Sequence, residues 1–321
     1  MIAGGPPGPD RLRRGNTLTG IALKVASVAI FVGMSTSIKL AGVLPVGEIV
    51  FFRSFFAVFP VLAVFAWRGE LRVALATVHP FSHIARGMVG VSAMGLGFFA
   101  LTRLPLPEAI TLNYAQPLLV VVFSAVLLGE TIRVYRWSAV VIGLIGVLII
   151  SWPKLTLFSS AGGVSDREAI GVAAALASAS MSAIALLLVR RLVRTERSAT
   201  IVLWFSLTAS GMALLSIPFG WQALSVSQAA LLIVSGFCGG FGQILMTESY
   251  RHAEASTVAP FEYTSMILGI AVGYLAFGDV PTMHMVVGGA IVIAAGIFII
   301  WREHRLGIAR AAASTAMTPP G

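Results

Sequence analysis

The chain has 321 residues, of which 57% are hydrophobic and 11% charged, and its mean hydropathy is +0.92. Soluble domains run at about 25% charged and about 45–50% apolar residues, so a water-soluble enzyme or nucleic-acid module is excluded and the formal charge of +9 needs another origin. With Cys238 as its one cysteine, the chain can form neither an internal disulfide nor a cysteine-based metal site.

Apolar runs of about 20 residues, the length that crosses a bilayer, recur from one end to the other. After a Pro/Gly-rich and then basic tail (1–18), spans are predicted at 19–38, 46–66, 80–101, 107–127 and 135–152. A connection at 153–168, containing KLTLFSSAGGVSDRE, leads to spans at 169–188, 200–219, 228–249, 256–277 and 283–301, followed by a tail at 302–321. The first run is full-length and has no small-residue cleavage site, so it is expected to be retained rather than removed as a signal peptide. Interior Gly and Pro are compatible with membrane helices. The short alternating segments of a closed barrel are missing from the sequence. The expected fold is an all-α integral membrane protein of ten transmembrane helices.

The basic residues explain the charge. Segments on the side of the N-terminus hold fifteen of the 22, and the opposite side holds four: Lys39, Arg103, Lys154 and Arg167. Lys24, Arg53 and Arg86 fall within spans. Positive charge gathers on the cytoplasmic side of membrane proteins, so both termini are expected in the cytoplasm and no nucleic-acid partner is expected.

The chain also repeats itself. TLNYAQPLLVVVFSAVLLGE, from residue 111, aligns without a gap at an offset of 149 with the stretch around APFEYTSMILGIAVGYLAFGD, residues 259–279. Tyr114 falls on Tyr263, Asn113 on Glu262, Gly129-Glu130 on Gly278-Asp279, and Trp152 on Trp301. In the third and eighth spans Gly87 and Gly90 fall on Gly236 and Gly239; nearer the front of each half, Gly20 matches Gly171 and Phe52 matches Phe205 more loosely. Each repeat holds five spans, an odd number, so the second must enter the membrane from the opposite face. Inverted repeats of this kind are a recurring transporter design, with the solute site between the halves near mid-bilayer.

The stretches GEIVFFRSFFAVFPVL, NYAQPLLVVVFSAVLLGE with GLIGVLII after it, and FEYTSMILGIAVGYLAFGD followed by GGAIVIAAGIFIIWRE resemble the EamA-type members of the drug/metabolite transporter superfamily. The resemblance covers residues 19–301, as an EamA repeat at 19–152 and another at 169–301. Asp279 stands where the family's second Gly-Glu is usual and keeps the negative charge. The resemblance implies a secondary transporter of small organic solutes in the bacterial inner membrane, without a cofactor. Relatives with a similar second span and an FEYT ninth span are riboflavin importers or adenosylmethionine carriers. Riboflavin uptake is therefore the specific expectation, with amino acids, adenosylmethionine-like metabolites and drugs as alternatives. A non-transporting receptor or structural protein is the rival class.

Ionisable residues inside a membrane must be paired or face water, at about 2.5–3.5 kcal/mol each on insertion scales. Glu48, Glu108 and Glu248 sit near span ends and are expected to be interfacial and solvated. Glu262 lies about 9 Å beyond Ser256 at 1.5 Å per residue, the deepest acid, and is the expected solute or proton site. Arg53 and Arg86 lie about 10 Å inside their spans. A guanidinium suits either a lock on a carboxylate or a clamp on an anionic solute; the lock is the expectation. Lys24 is expected to snorkel.

Pro117 should bend the fourth span and turn Asn113, Tyr114 and Gln116 toward a cavity, with Tyr263 and Thr264 in matching places. Phe52, Trp204 and Gln243 complete the candidates for a flavin-like solute. The glycines of GMVGVSAMGLG and GFCGGFG are read as helix-packing surfaces. The three lysines follow Leu23, Ile38 and Pro153, so no Gly-Lys exists for a P-loop. Neither a nucleophile–base pair nor a metal cluster shares one depth, so no enzyme is expected. Spans 5 and 10, nearly featureless, are left as scaffold or homodimer contacts.

Overall fold

A computed structural model describes residues 9–128, 134–152, 166–192, 195–252 and 259–316. Residues 153–165 of the predicted linker (153–168), the Gly129-Glu130 corner, the turn at Ser256 and the outermost tails lie outside these. The described residues form helices and their connections, with no strand. In chain order the helices are α1 (Pro9–Leu40), α2 (Val46–Trp67), α3 (Pro80–Leu101), α4 (Leu106–Asn113), α5 (Ala115–Leu128) and α6 (Val134–Ser151). The second half contributes α7 (Asp166–Leu192), α8 (Ser198–Leu214), α9 (Val226–His252), α10 (Thr264–Phe277) and α11 (Met283–Ala316).

Six spans are 21–23 residues long and apolar enough to cross a membrane, among them Leu106–Val126, which joins α4 and α5; four shorter apolar helices lie at Trp137–Ser151, Ala199–Leu214, Phe261–Phe277 and Met283–Ile299. Together they make the ten spans. Their outer surface carries exposed Phe55, Phe59, Ile145, Val234, Ile267 and Leu275, as a surface solvated by acyl chains requires. Every backbone polar group in that solvent must be satisfied internally, which is why apolar runs become helices there.

Two spans are broken at matching places, and chemistry explains the first. Pro117 has no N–H to give the carbonyl of Asn113, four residues earlier. α4 stops at Asn113, Tyr114 turns, and α5 starts at Ala115. In the ninth span a 3₁₀ segment, Ala259–Tyr263, precedes α10. Thr264 Oγ1 donates to the Phe261 carbonyl at 2.6 Å and Ser265 Oγ to the Glu262 carbonyl at 2.7 Å. Side-chain hydroxyls thus satisfy carbonyls at this change of helix type.

Hydrogen bonds between connections fix the direction of each span. At one end Thr77, after α2, donates to Glu196, after α7, at 2.6 Å, and Arg197 pairs with Glu70 at 3.0 Å. This is the basic end. At the far end Lys39 closes α1 onto the Leu104 carbonyl (3.1 Å) and Asp279 (3.0 Å), and the amide of Leu106 donates to Asp279 at 3.1 Å. Gln228, at the start of α9, reaches the Ala41 carbonyl at 3.2 Å. α1 therefore leaves the basic end while α7 returns to it, and the two halves are inverted.

Packing follows the same symmetry. α1 lies on α9 as α7 lies on α3; α2 meets α9 as α8 meets α3. The pairs α2–α8 and α6–α11, with the two broken spans, are their own counterparts and mark the pseudo-two-fold axis. The glycines act as the packing surfaces predicted: a Cβ on Gly236 would stand 2.8 Å from the Phe52 carbonyl oxygen. α6 and α11, read from sequence as scaffold or dimer contacts, pack on each other within one chain.

Candidate functional site

The two broken spans meet at Tyr114 and Tyr263. Their rings sit edge to face, 5.1 Å between centroids, so two residues matched by the repeat touch across the pseudo-two-fold axis. Ser265 Oγ gives its proton to the Glu262 carbonyl, so the Tyr114 hydroxyl, 2.5 Å from it, is the donor of that pair. A short hydrogen-bonded chain runs from one break to the other. Tyr263 also abuts α11 at Gly296, where a Cβ would collide with its hydroxyl.

Glu262, on the 3₁₀ turn, pairs with Lys24 of α1. The lysine side chain is 2% exposed and the carboxylate 46%. Lys24 therefore does not snorkel: it is buried and held to the ninth span. The far-end pair Lys39–Asp279 joins α1 to the other end of that span, with the ammonium 4.9 Å from the centroid of the Phe277 ring. One ion pair at each end thus clasps α1 to the second repeat.

Glu48 departs from its expected interfacial setting. It is buried, 2% exposed, and accepts the Gln222 amide at 3.4 Å. Glu108 is likewise buried, at 6%. Glu248 lies 3.9 Å from His252, one turn on.

Arg53 and Arg86 also overturn an expectation. Neither forms an ion pair with any carboxylate among the described residues. Both instead approach one ring, Phe205 of α8, with guanidinium carbons 5.8 Å and 3.9 Å from its centroid. The two charges thus cannot be further apart than the sum of those distances. At that limit they repel by about 2 kcal/mol for an effective dielectric of about 20. Arg53 is 4% exposed. Its Nε, and Nε and Nη1 of Arg86, are buried without a hydrogen-bond partner among the described residues. Small residues leave them room: a Cβ on Gly239 would lie 3.0 Å from Arg53 Nε, and one on Gly90 3.6 Å from Arg86 Nη1. Those glycines are repeat counterparts, but the arginines have no basic counterparts. At the offset of each span, Arg53 falls on Ser206 and Arg86 on Ser235. The cluster breaks the symmetry of its frame.

The remaining candidates are spread out. Asn113 is exposed at the break, and Gln116 and Gln243 are half-buried; none makes a side-chain hydrogen bond among the described residues. Phe52 packs with Phe51 and Phe56 along α2. Trp204 lies at the basic end, stacked on His83 at 5.5 Å and donating to the Leu75 carbonyl at 3.3 Å. There Glu196 takes hydrogen bonds from Thr77 and the Val78 amide. Burial pushes its carboxyl up, but those hydrogen bonds and the neighbouring His83 outweigh that and hold it below the usual range. A surface groove of about 480 Å³, lined by residues such as Ile30, Phe237, Cys238 and Phe241, offers only apolar atoms and nothing to orient a polar solute.

Sequence reasoning missed Lys39, Asp279, Ser265 and Phe205. For Ser265 the signal was present, one helical turn beyond Glu262.

The EamA-like transporter family model matches the chain twice, at residues 18–152 and 169–302. The chain is 27% identical over 259 residues to the S-adenosylmethionine uptake transporter of Rickettsia prowazekii, covering 80% of this chain and 84% of the relative. It is 29% identical over 288 residues to the pseudopaline exporter CntI of Pseudomonas aeruginosa, covering 87% and 95%. It is 27% identical over 236 residues to the riboflavin transporter of Rhizobium johnstonii, covering 72% and 74%. A solved protein crystal structure shares the fold with a TM-score of 0.62 at 20% identity, over 89% of this chain and 98% of that one. The chain belongs to the EamA-like transporter family: it is a multi-pass membrane transporter and not an enzyme.

Proposed function

We propose that the protein is a secondary carrier of the bacterial inner membrane that moves a small organic metabolite by alternating access between its two inverted repeats, residues 19–152 and 169–301. The basic end faces the cytoplasm and both termini lie there, as the distribution of arginines favours. The observation that carries this reading is the clasping of α1 to the ninth span by Lys24–Glu262 at one end and Lys39–Asp279 at the other. Alternating access needs a barrier at each face that can open while the other stays shut, and a pair of separate ion pairs supplies that. Glu262, half-exposed beside Lys24, is the carboxylate placed to carry a coupling proton. The outer face of α6 and α11, with exposed Trp137, Ile145 and Trp301, is the proposed homodimer contact. Its check is the mass of the particle in detergent.

Riboflavin uptake is the specific reading. The riboflavin transporters among the relatives support it, as do the half-buried rings of Tyr263 and Phe52. The unpaired guanidiniums favour a second reading, a solute with an ionised acid group. Uptake and efflux of a metabolite panel in cells and proteoliposomes tests the carrier itself, with saturable flux of at least one member expected. Rescue of a riboflavin auxotroph at low external vitamin tests the specific solute; a well-expressed protein that gives no rescue removes riboflavin.

A further inference from the structure

We infer that Arg53 and Arg86 form an oxyanion subsite between the repeats, where the solute's carboxylate or phosphate sits against both guanidiniums. The inference rests on the carrier reading and adds the solute's chemical class to it. Four observations converge. Two like charges lie within one ring's reach of each other, with Phe205 between α2, α3 and α8. Nε of both arginines and Nη1 of Arg86 are buried without a partner, and no carboxylate among the described residues pairs with either residue. Gly90 and Gly239, having no Cβ, let the two guanidiniums and the Phe205 ring pack against their backbones. Finally, the repeat has serine at both corresponding positions in the other half, so these charges are not part of what the two halves share.

A structural lock would look different. The chain pairs its other span cation, Lys24, with an acid, yet leaves these two together with no acid partner among the described residues. Guanidinium donors arranged in a planar fork suit a bidentate oxyanion, carboxylate or phosphate alike. A neutral solute would leave both charges uncompensated in the membrane interior. The subsite thus shifts the substrate class away from uncharged riboflavin toward metabolites with an ionised acid group.

The test is the thermal midpoint of the purified full-length protein in detergent. It is read in citrate, in inorganic phosphate and in choline chloride at matched ionic strength, for wild type, Arg53→Met, Arg86→Met and the exposed control Arg197→Met. A ligand that binds only the folded state raises the midpoint. Citrate or phosphate is expected to raise the wild-type and Arg197→Met midpoints beyond choline chloride, and to lose that excess in Arg53→Met and Arg86→Met. Whichever anion gives the larger excess identifies the acid group. In choline chloride, both methionine variants are expected to melt at or above wild type, since an uncompensated charge has been removed. An anion response that persists in both variants, no response in wild type, or a fall in their basal midpoints overturns the subsite. Flux in proteoliposomes is read separately. Flux without an anion response sinks the subsite and spares the carrier; an anion response without flux for any panel member does the reverse.

Discussion

Two charged regions share the interior of this protein and are treated in opposite ways. Along the seam between α1 and the ninth span, Lys24 meets Glu262 and Lys39 meets Asp279. Between α2, α3 and α8, Arg53 and Arg86 share the Phe205 ring and have no ion-pair partner among the described residues. Each seam pair includes a side chain that reaches solvent; the arginine cluster has no acid of its own among the described residues. Paired charge holds two elements in one arrangement. Unpaired charge is tolerated where a partner arrives from outside.

The largest effect should come from prying apart the helices that frame the arginines. Gly236→Leu places a Cβ 2.8 Å from the Phe52 carbonyl and 3.2 Å from Phe56 Cα, backbone atoms that cannot swing away. Loss of the monodisperse peak in detergent chromatography is expected, and a normal peak would mean that α9 does not need to press on α2.

Next come the two halves of the seam pair, which should differ. Glu262→Gln strips the carboxylate from a lysine that is 2% exposed, whereas Lys24→Met leaves behind a carboxylate that is 46% exposed and can find water. Glu262→Gln, which takes a carboxylate from a buried ammonium, should lose more than Lys24→Met, and solvent at the half-exposed carboxylate should keep both losses below the about 3–5 kcal/mol of a fully buried pair. Equal losses in thermal melts would show that the seam is not buried as described. A proton-driven component of transport, if Glu262 carries it, should vanish in the glutamine variant.

A smaller effect is set by pH. The carboxyl of Glu196 is held below its ordinary value of 4.5 in the folded state. Its contribution is therefore complete above that value and fades as pH falls through the lower folded one. Acid melts below about pH 4.5 should fall more steeply for wild type than for Glu196→Gln. Parallel curves would mean that the Thr77–Glu196 contact adds nothing to the basal fold.

The smallest is Tyr114→Phe. It removes a hydrogen bond to Ser265 but keeps the ring against Tyr263. Interhelical hydrogen bonds in membranes average about 0.6 kcal/mol, and a loss of that order is expected. A much larger one would make the tyrosine chain a principal tie between the two repeats, on a level with the ion pairs of α1.

Much of the frame was legible in the sequence because its signals are one-dimensional. Run length gave the ten spans. The missing N–H of Pro117 predicted a bend in the fourth span, and the offset of 149 made Tyr114 and Tyr263 counterparts without saying that their rings touch. Partner choice was not legible. Position in a span gives depth, and Arg53, Arg86, Lys24 and Glu262 were placed by depth alone. Pairing depends on which way each helix is turned about its axis, and a run of apolar residues facing lipid on one side and protein on the other encodes that only weakly. Lys24 and Glu262 stand 238 positions apart, so nothing local links them. Arg53 and Arg86 had depth and charge suited to a lock, and only tertiary packing put a shared ring where the carboxylates would have been.

The claim that the repeats move against each other is tested most directly at the far end of the seam. Cysteines replacing Lys39 and Asp279 in a Cys238→Ser background can be joined by a short reducible bis-maleimide linker, and flux measured in proteoliposomes before linking, after it, and after reduction. Alternating access predicts flux that stops on linking and returns on reduction. Undiminished flux through the linked protein would contradict it.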